Sequence, residues 1–375
     1  MLADLLTNQT SAPTPLRRPE FTISLGGGDG GGLGDLTSTV TSLVGGSDSD
    51  PWQDYTRSIK IECGCAPFVD QATIQLAPGT QSPAAALSDE GSIDLGYNDS
   101  GTSSQFSGSV IRLKELALGT RQITLANASQ TLAQLRINMT FQEMSPSDIV
   151  QQMISMGDVS AGNMSPGNLI LPVYIVDDRR SVYQHIARLA NWSGHISYID
   201  ADNQLNWLAL STAQPVQTFV YGDDLLAIEQ LQQSGCQSNT RWQGEGSAGS
   251  NGSGAWSWLS KTADANASGA DPGDSRINFQ GAFRNPETVE QAATGFNALP
   301  QCQPTRLRLL SSGTANVSIG TTIAISGTPE GKLDSECVVI QIKHLLNKTR
   351  GFTTELEAVT LNNSDGADSL LGGLL

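Results

Sequence analysis

The sequence predicts a mainly β protein with an α/β insertion near its middle. Apolar and polar residues alternate over many short segments, from residue 55 to 142 and again after residue 305, as expected of strands with one buried face. Helical spacing of apolar residues is confined to three segments, and two of these lie between residues 145 and 194. The 39 glycines, with many serines and threonines, favour turns over long surface helices.

Length and charge restrict the classes of function. With 375 residues, the chain is long enough for two or three domains. Its 37 acidic residues outnumber its 21 basic residues, and the net charge is −16. This excess repels nucleic-acid phosphates and anionic membrane surfaces, so we expect no tight nucleic-acid binding. No apolar run approaches a membrane span and the N-terminus lacks a secretory pattern, so we expect no membrane insertion and synthesis in a bacterial host cytoplasm.

Composition and periodicity divide the chain into five parts. The expected order is an N-terminal extension (1–19), a first β domain with a glycine-rich insertion (20–144), an α/β domain (145–215), a second β domain with a mobile loop at 244–276 (216–362), and a C-terminal tail (363–375).

The expected mobile loop is Gly/Ser-rich and contains Trp256 and Trp258. Exposed tryptophans often mark contacts with a neighbouring surface.

In the first β domain the strand pattern is clearest in TRSIKIECGCA, which places Ile59, Ile61, Cys63 and Cys65 on one face. Several such short strands with few helices suggest a barrel or a sandwich. Cys63 and Cys65 also have the spacing of half a metal site, but no second pair of ligands follows, and both extend an apolar face. We therefore interpret them as two small buried thiols rather than as zinc or iron–sulfur ligands.

A glycine-rich segment follows the first predicted strand. Gly26, Gly28 and Gly31 satisfy the G-x-G-x-x-G pattern of dinucleotide sites. Seven of the nine residues from Gly26 to Gly34 are glycine, so the match follows from composition. No βαβ unit and no ribose-binding acid follows it. We interpret the segment as a flexible loop and expect no bound cofactor.

The α/β domain begins with a predicted helix. Ser145 is placed to cap it, and Pro146 occupies its first turn. Ile149, Met153 and Met156 form its apolar stripe, which we interpret as core rather than as a cofactor-binding methionine cluster. The segment NLILPVYIVD then has the composition of a buried strand.

Two of the three histidines lie in DDRRSVYQHIARLANWSGHISYID, a segment that resembles the edge of an active site. Ser181 and Gln184 instead form a capping box, Gly194 ends the helix, and a hairpin follows. His185 is expected on the flank of this helix and His195 at the start of the hairpin. Their spacing matches no standard metal-ligand geometry, and no cysteine is near. We expect both to be structural, and we assign no catalytic, metal-binding or cofactor-binding residue.

The second β domain contains a predicted helix and ends in four strands. Asn285 is placed to cap the helix, and Val289, Ala293 and Phe296 face one way. The C-terminal tail carries two leucine pairs that are costly to leave in water. Two interpretations of this tail stay open, a docking peptide for another subunit and a frayed chain end.

The order of these elements resembles the baseplate hub of contractile tails, that is, the late control protein D family of phages and the hub-like half of the VgrG spike proteins of type VI secretion. The resemblance covers residues 20 to 362, and its patterns are specific in combination. It implies a structural role for His344, which falls where the closing hairpin of the family often has a histidine. The stretches that carry it are LPVYIVDDRRSVYQHIARLANWSGHISYIDADNQLNW, FVYGDDLLAIE, PETVEQAATGFNAL, GTTIAISG and CVVIQIKHLLN.

What the resemblance implies is a structural protein and not an enzyme. Family members are homotrimers in which each subunit supplies two tube-like β-barrel domains, so that the ring adapts a hexameric tail tube to a trimeric central spike. The ring also provides the conduit for DNA or protein. The implied partners are a separate central spike protein, since no β-helical repeats follow here, a tail tube or tube-initiator protein, and other baseplate components. The implied location is the baseplate of a virion tail or of an injection system.

Two other classes of function stay open. A tail-associated cell-wall hydrolase would need a catalytic carboxylate pair or a metal site. The 37 acidic residues are compatible with such a pair, although no catalytic motif is recognisable. A carbohydrate-binding adhesion module is compatible with the strands and the tryptophans.

Overall fold

A computed structural model describes residues 17–26, 50–232, 240–244, 246–247, 261–262, 266–267, 276–297, 299 and 305–361. Four features expected above lie wholly or largely outside these residues: the glycine-rich segment after Gly26, the loop at 244–276 with its two tryptophans, the N-terminal extension and the C-terminal tail. The described part of the chain is mainly β, as predicted. None of its helices has the length and apolar character needed to cross a membrane.

The first part of the chain consists of six strands and one short helix. The elements are β1 (Pro19–Leu25), α1 (Pro51–Tyr55), β2 (Thr56–Gly64), β3 (Gln71–Leu76), β4 (Glu90–Tyr97), β5 (Gly101–Glu115) and β6 (Arg121–Ala126).

Helices and strands then mix through the middle of the chain. These elements are α2 (Ala128–Gln134), β7 (Met139–Met144), α3 (Pro146–Ser155), β8 (Ala161–Met164), β9 (Leu171–Val176), α4 (Val182–Ser193), β10 (His195–Ile199) and β11 (Leu205–Ala209).

The last part returns to strands. Its elements are β12 (Gln217–Val220), β13 (Leu225–Gln232), β14 (Thr240–Gln243), β15 (Gly246–Ser247), β16 (Lys261–Thr262), β17 (Asn266–Ala267), β18 (Arg276–Phe279), α5 (Pro286–Asn297), β19 (Thr305–Ser312), β20 (Thr322–Ser326), β21 (Ser335–Asn347) and β22 (Gly351–Val359).

Twelve of these strands form one continuous sheet. Its first half, here called the first lobe, has the order β1-β4-β5-β6-β3-β2. Its second half, the second lobe, has the order β12-β20-β21-β22-β19-β13. The described strand path stays open at β1 and β13, and in the second lobe an isolated bridge between Tyr221 and Leu225 brings the end of β12 to the start of β13. The two β-rich parts are therefore halves of one sheet.

The two lobes and the central part each bury their own group of apolar side chains. Ile59, Ile61 and Ile74 belong to the core of the first lobe, and Ile323 and Val339 belong to that of the second. These side chains are all fully buried, and burial of each contributes about 1.5–3 kcal/mol. Alternation of buried and partly exposed residues along β2 confirms the inward face predicted for Ile59 and Ile61.

Helix α3 begins and packs as its sequence predicts. The Ser145 hydroxyl accepts a hydrogen bond from the Asp148 N–H at 3.2 Å, and Pro146 occupies the first turn. Ile149 and Met153 are fully buried, but Met156 is 43% exposed. The prediction that Met156 extends the apolar stripe is wrong, because the helix ends at Ser155 and Met156 is its C-terminal cap.

Strand β9 is half-buried rather than buried as predicted. Leu171, Tyr174 and Val176 lie inside, whereas Ile175 is 58% exposed. Among the described strands β9 pairs only with β7, in a two-stranded sheet, and its buried Tyr174 packs against His185 of α4. Its outer face therefore has no covering layer among the described residues of this chain.

Helix α5 joins the central core rather than the core of the second lobe. Its Val289 and Ala292 are fully buried there, beside Phe283 and Trp242. The ring of Trp242 lies 5.0 Å from that of Phe296. The inward face predicted for this helix is confirmed for Val289, and Trp242 and Phe283, which come from the last part of the chain, join the same central core.

A pair of glycines allows α4 and α5 to approach closely. Gly194 ends α4 with a φ of 71°, in the left-handed region that favours glycine. A Cβ atom at Gly295 would lie 2.7 Å from the Trp192 carbonyl oxygen and 2.8 Å from the Gly194 nitrogen. Both neighbours are backbone atoms, so the two helices would have to separate.

We expect Gly295→Ala to lower the free energy of unfolding by about 1–3 kcal/mol, because this clash outweighs the higher helix propensity of alanine. Chemical denaturation measures the change. Thr294→Ala is the matched control, since Thr294 is an exposed neighbour on the same helix, and it should change stability by less than about 0.5 kcal/mol. Equal effects of the two substitutions would contradict the close approach.

Candidate functional site: the seam between the two lobes

The two lobes meet where β2 pairs with β21, and this pairing is here called the seam. The strands are antiparallel, with Ser58 opposite Asn347 at one end and Gly64 opposite Gln341 at the other. Seven residue pairs are in register without interruption. A ladder of this length is a rigid connection, because a shift by one residue would turn every buried side chain to the opposite face.

Strand β21 belongs to both lobes because it changes partner along one edge. Its residues from Ser335 to Val338 pair with β20, and those from Gln341 to Asn347 pair with β2. The opposite edge pairs with β22 from Val338 to Asn347, with a register shift between Val339 and Gln341. The extra residue at this bulge is Ile340, whose carbonyl accepts a hydrogen bond from the Cys65 N–H at 3.3 Å. Bulges bend a strand, and this one directs β21 from the second lobe into the first.

Apolar and neutral side chains fill the inner face of the seam. Ile61 lies opposite His344 and Cys63 opposite Ile342. Cys63 packs against the cores of both lobes. His344 is buried, its Nδ1 lies 2.9 Å from the Thr354 hydroxyl, and burial lowers its pKa to about 4. This histidine is therefore neutral at physiological pH and serves packing.

The outer face of the seam carries half-exposed charges of both signs. Lys60 and Glu62 are 2.8 Å apart, and Lys343 lies 2.9 Å from Glu355. Such partly solvated pairs contribute little stability, on the order of 0–1 kcal/mol each. Their consequence is a polar surface that runs across both lobes.

Two further hydrogen bonds tie the lobes together above the seam. Ser103 of β5 donates from its hydroxyl to the Ala315 carbonyl at 3.2 Å, and the Gln105 side-chain amide donates to the same carbonyl at 3.1 Å. Ala315 lies in the segment between β19 and β20 of the second lobe. These three residues, together with Cys63 and His344, line a cavity of about 410 Å³. The lobes are thus connected on two levels.

A buried aspartate anchors the end of the seam to the central part. Asp70 accepts hydrogen bonds from the Gly64 N–H at 2.9 Å and from the Asn127 side-chain amide at 2.8 Å. Its own N–H donates to the Ser129 hydroxyl at 2.9 Å. Burial raises the pKa of Asp70 to about 7 and that of the nearby Cys65 thiol to about 12. A thiol with such a pKa is a poor nucleophile and a poor metal ligand.

The two histidines of the α/β part occupy different environments. His185 is fully buried, with Nδ1 at 2.8 Å from the Tyr174 hydroxyl and Nε2 at 3.1 Å from the Asp177 carbonyl. The helix flank on which it was predicted is itself buried, because Tyr174 of β9 and the Asp177 carbonyl lie against it. Burial lowers the pKa of His185, and both ring nitrogens have partners.

His195 lies in a second place, where its ring is stacked on Trp207 with 5.2 Å between centroids. Its Nδ1 is 2.8 Å from the Ser193 carbonyl, and burial lowers its pKa. The two histidines therefore lie in separate sites and have different hydrogen-bond partners. Across the described residues, no group of three or more histidine, cysteine or acidic side chains is arranged to hold a metal ion.

The sequence contains a short internal repeat, one copy of which lies in the seam, and the pattern of each strand taken separately does not reveal it. VIRLKEL in β5 and VIQIKHL in β21 share valine, isoleucine, lysine and leucine at the same spacing. Both segments contain a bulge at the isoleucine, Ile111 in β5 and Ile340 in β21. A comparison of the sequence with itself for internal repeats is sufficient to find this match.

The fold defines a class: two lobes with the same strand order in one sheet, joined at a seam and flanked by a small α/β part. No protein-family profile matches the sequence, and no curated protein matches it. Solved structures do match.

The 43 kDa tail protein of prophage MuSo2 from Shewanella oneidensis superposes with a TM-score of 0.62 at 12% identity, over 91% of this chain and 98% of that one. The tail protein from Neisseria meningitidis superposes with a TM-score of 0.61 at 12% identity, over 92% of this chain and 96% of that one. An E. coli component of the type VI secretion system, described as similar to bacteriophage T4 tail proteins, gives a TM-score of 0.51 at 10% identity over 82% and 74%. The chain has the fold of these tail and secretion proteins.

Proposed function

We propose that the protein is the structural hub of a tail or injection-machine baseplate. Three copies form a ring that joins a hexameric tail tube to a trimeric central spike and encloses the conduit for DNA or protein. The observation that supports this is the seam, which holds two lobes of equal strand order in one sheet. Each chain then supplies two similar modules at a fixed angle, and a closed ring of three chains presents six.

The proposal includes the division of labour within the chain. The first lobe (within 20–144) and the second lobe (within 216–362) form the wall of the ring, and the α/β part (145–215) braces them. The spike, the tube or tube initiator and the other baseplate components are separate chains. The hub works by geometry and performs no catalysis, and it is located in the tail baseplate. The neutral, hydrogen-bonded His185 and the raised pKa of the Cys65 thiol are in keeping with that role.

The number of copies per particle tests this function. We expect three copies of this chain for every six subunits in one ring of the tail tube, because only threefold closure matches two lobes to a sixfold tube. Quantitative mass spectrometry of purified tails gives the ratio, with the tube protein as internal standard. Any copy number other than three, or absence of the chain from complete tails, would contradict the proposal.

A further inference from the structure

The two lobes have the same strand order, although β12 runs parallel to β20 where β1 runs antiparallel to β4. The equal order of the remaining strands makes the seam itself a repeatable contact. By position in the sheet, β2 of the first lobe corresponds to β13 of the second, and β21 of the second corresponds to β5 of the first. The β-bulges support this correspondence because they lie on corresponding strands. Arg57 is the bulge residue of β2 and Leu226 that of β13, and Ile340 is the bulge residue of β21 and Ile111 that of β5. The β2–β21 contact therefore has a second counterpart, between β13 and β5.

A single chain does not make this second contact. Strand β5 pairs with β4 and β6, β13 pairs with β19, and six strands lie between β5 and β13 along the sheet path. The two elements can meet only between two copies of the chain.

In the described part of the chain, strand β13 has one largely unpaired edge and exposed apolar side chains, as expected of a strand that can pair with another chain. Among the described residues β13 pairs with β19 along one edge, and the other edge carries only the isolated bridge at Leu225. Leu226 is 53% exposed and Leu231 is 55% exposed. A strand edge with exposed leucines and one acid, Glu229, is a template for pairing with another chain.

The corresponding part of β5 is exposed as well. From Arg112 to Glu115 it pairs with β6 on one edge, while β4 pairs only as far as Ser109. All four of these residues are exposed, Leu113 at 43%. Leu118, in the turn that follows, is 92% exposed and has a φ of 66°. Three exposed leucines thus lie on the two strands that the repeat brings together, and a fourth lies in the turn after β5.

We propose that β13 of one protomer pairs antiparallel with the end of β5 of the next, in the register of the seam. This inference rests on the proposed ring and names the contact that closes it. The seam register, transferred through the repeat, places Gln230 opposite Glu115 and Leu231 opposite Lys114. Glu229 then lies diagonal to Lys114 on the polar face, where opposite charges attract. The contact is head-to-tail, the kind of interface that forms a ring when the rotation between successive copies closes.

The remaining edge of the first lobe contrasts with β13. At β1, the Gln53 side-chain amide of α1 donates to the Phe21 carbonyl at 3.1 Å, so a helix of the same chain covers that edge. Proteins protect edges that are not meant to pair. β13 has no such hydrogen bond from a described helix, and among the described strands it shares its open edge only with the neighbouring β12, which pairs with β20 alone.

A charge exchange tests the contact in the hub–spike complex assembled in cells. We expect Glu229→Lys and Lys114→Glu each to weaken trimer formation at least about tenfold by analytical ultracentrifugation, and the double exchange to restore most of it. Glu336→Lys and Lys332→Glu are matched controls at exposed positions outside both elements, and both should leave the trimer intact. Failure of the double exchange to recover assembly would overturn the proposal.

Cross-linking tests the register independently. In a background with Cys236 and Cys302 changed to serine, the pair Gln230→Cys and Glu115→Cys should give covalent trimers with a short bismaleimide, and neither single cysteine should. A trimer that forms normally without cross-linking, and that tolerates both charge reversals, would refute this contact but leave the hub function standing. A wild-type chain that is not trimeric in tails would overturn both.

Discussion

Replacing Ile61 with aspartate should abolish cooperative folding of the two lobes. The side chain is fully buried in the seam opposite His344, which burial keeps neutral. An aspartate here would place an unpaired carboxylate in an apolar core, at a cost of more than about 4 kcal/mol. That is a large share of the total stability of a typical domain. We expect insoluble protein, or loss of the unfolding transition in calorimetry.

Lys60→Asp is the matched control because Lys60 is the next residue on the same strand and faces outward. Its charge is half-exposed and pairs only with Glu62 at the surface. The substitution should therefore cost less than about 1 kcal/mol. Comparable destabilisation by both variants would show that the inward and outward faces of the seam have been assigned wrongly.

The second large effect is expected at Asp70. Asp70→Ala leaves the Gly64 N–H and the Asn127 amide without their acceptor in a buried site. We expect a loss of about 2–4 kcal/mol in the free energy of unfolding, measured by urea denaturation near pH 5. A change below about 0.5 kcal/mol would mean that the connection between seam and central part is not formed in solution.

The pH dependence of stability provides a separate readout of Asp70. Its pKa is raised by burial from 3.8 to about 7 in the folded protein, so the folded state holds the proton more tightly than the unfolded state. Its contribution is therefore fully present below about pH 4 and is lost as the pH rises through about 7.

Asp70→Asn cannot ionise and should remove this dependence. The difference in unfolding free energy between wild type and Asp70→Asn should shift in favour of the variant by on the order of 2 kcal/mol from about pH 5 to about pH 8. Asp99→Asn, at an exposed position, is the control and should show no such shift. A pH-independent difference for Asp70→Asn would contradict the raised pKa.

Local features of the fold were predictable from the sequence because they depend on neighbours in the chain. Alternation in TRSIKIECGCA placed Ile59 and Ile61 inside, and the structure confirms it. Ser145 and Ser181 cap their helices as predicted, and the Ser181–Gln184 capping box is complete. A cap needs only a hydroxyl and a free N–H within one turn, so its energy is local.

The sequence by itself determined the mainly β class, the helices α3, α4 and α5, and the buried face of strands such as β2, but not the short helices α1 and α2. The tertiary structure alone decided that the two β-rich parts share one sheet, because the β2–β21 pairing joins residues nearly three hundred positions apart. It also decided the burial of His185, which depends on Tyr174 of β9 and the Asp177 carbonyl rather than on the spacing of residues within α4. Hydrophobic periodicity predicts that a side chain is buried, but it does not predict which distant segment packs against it. The pairing partner of a strand edge is fixed only when the whole sheet forms.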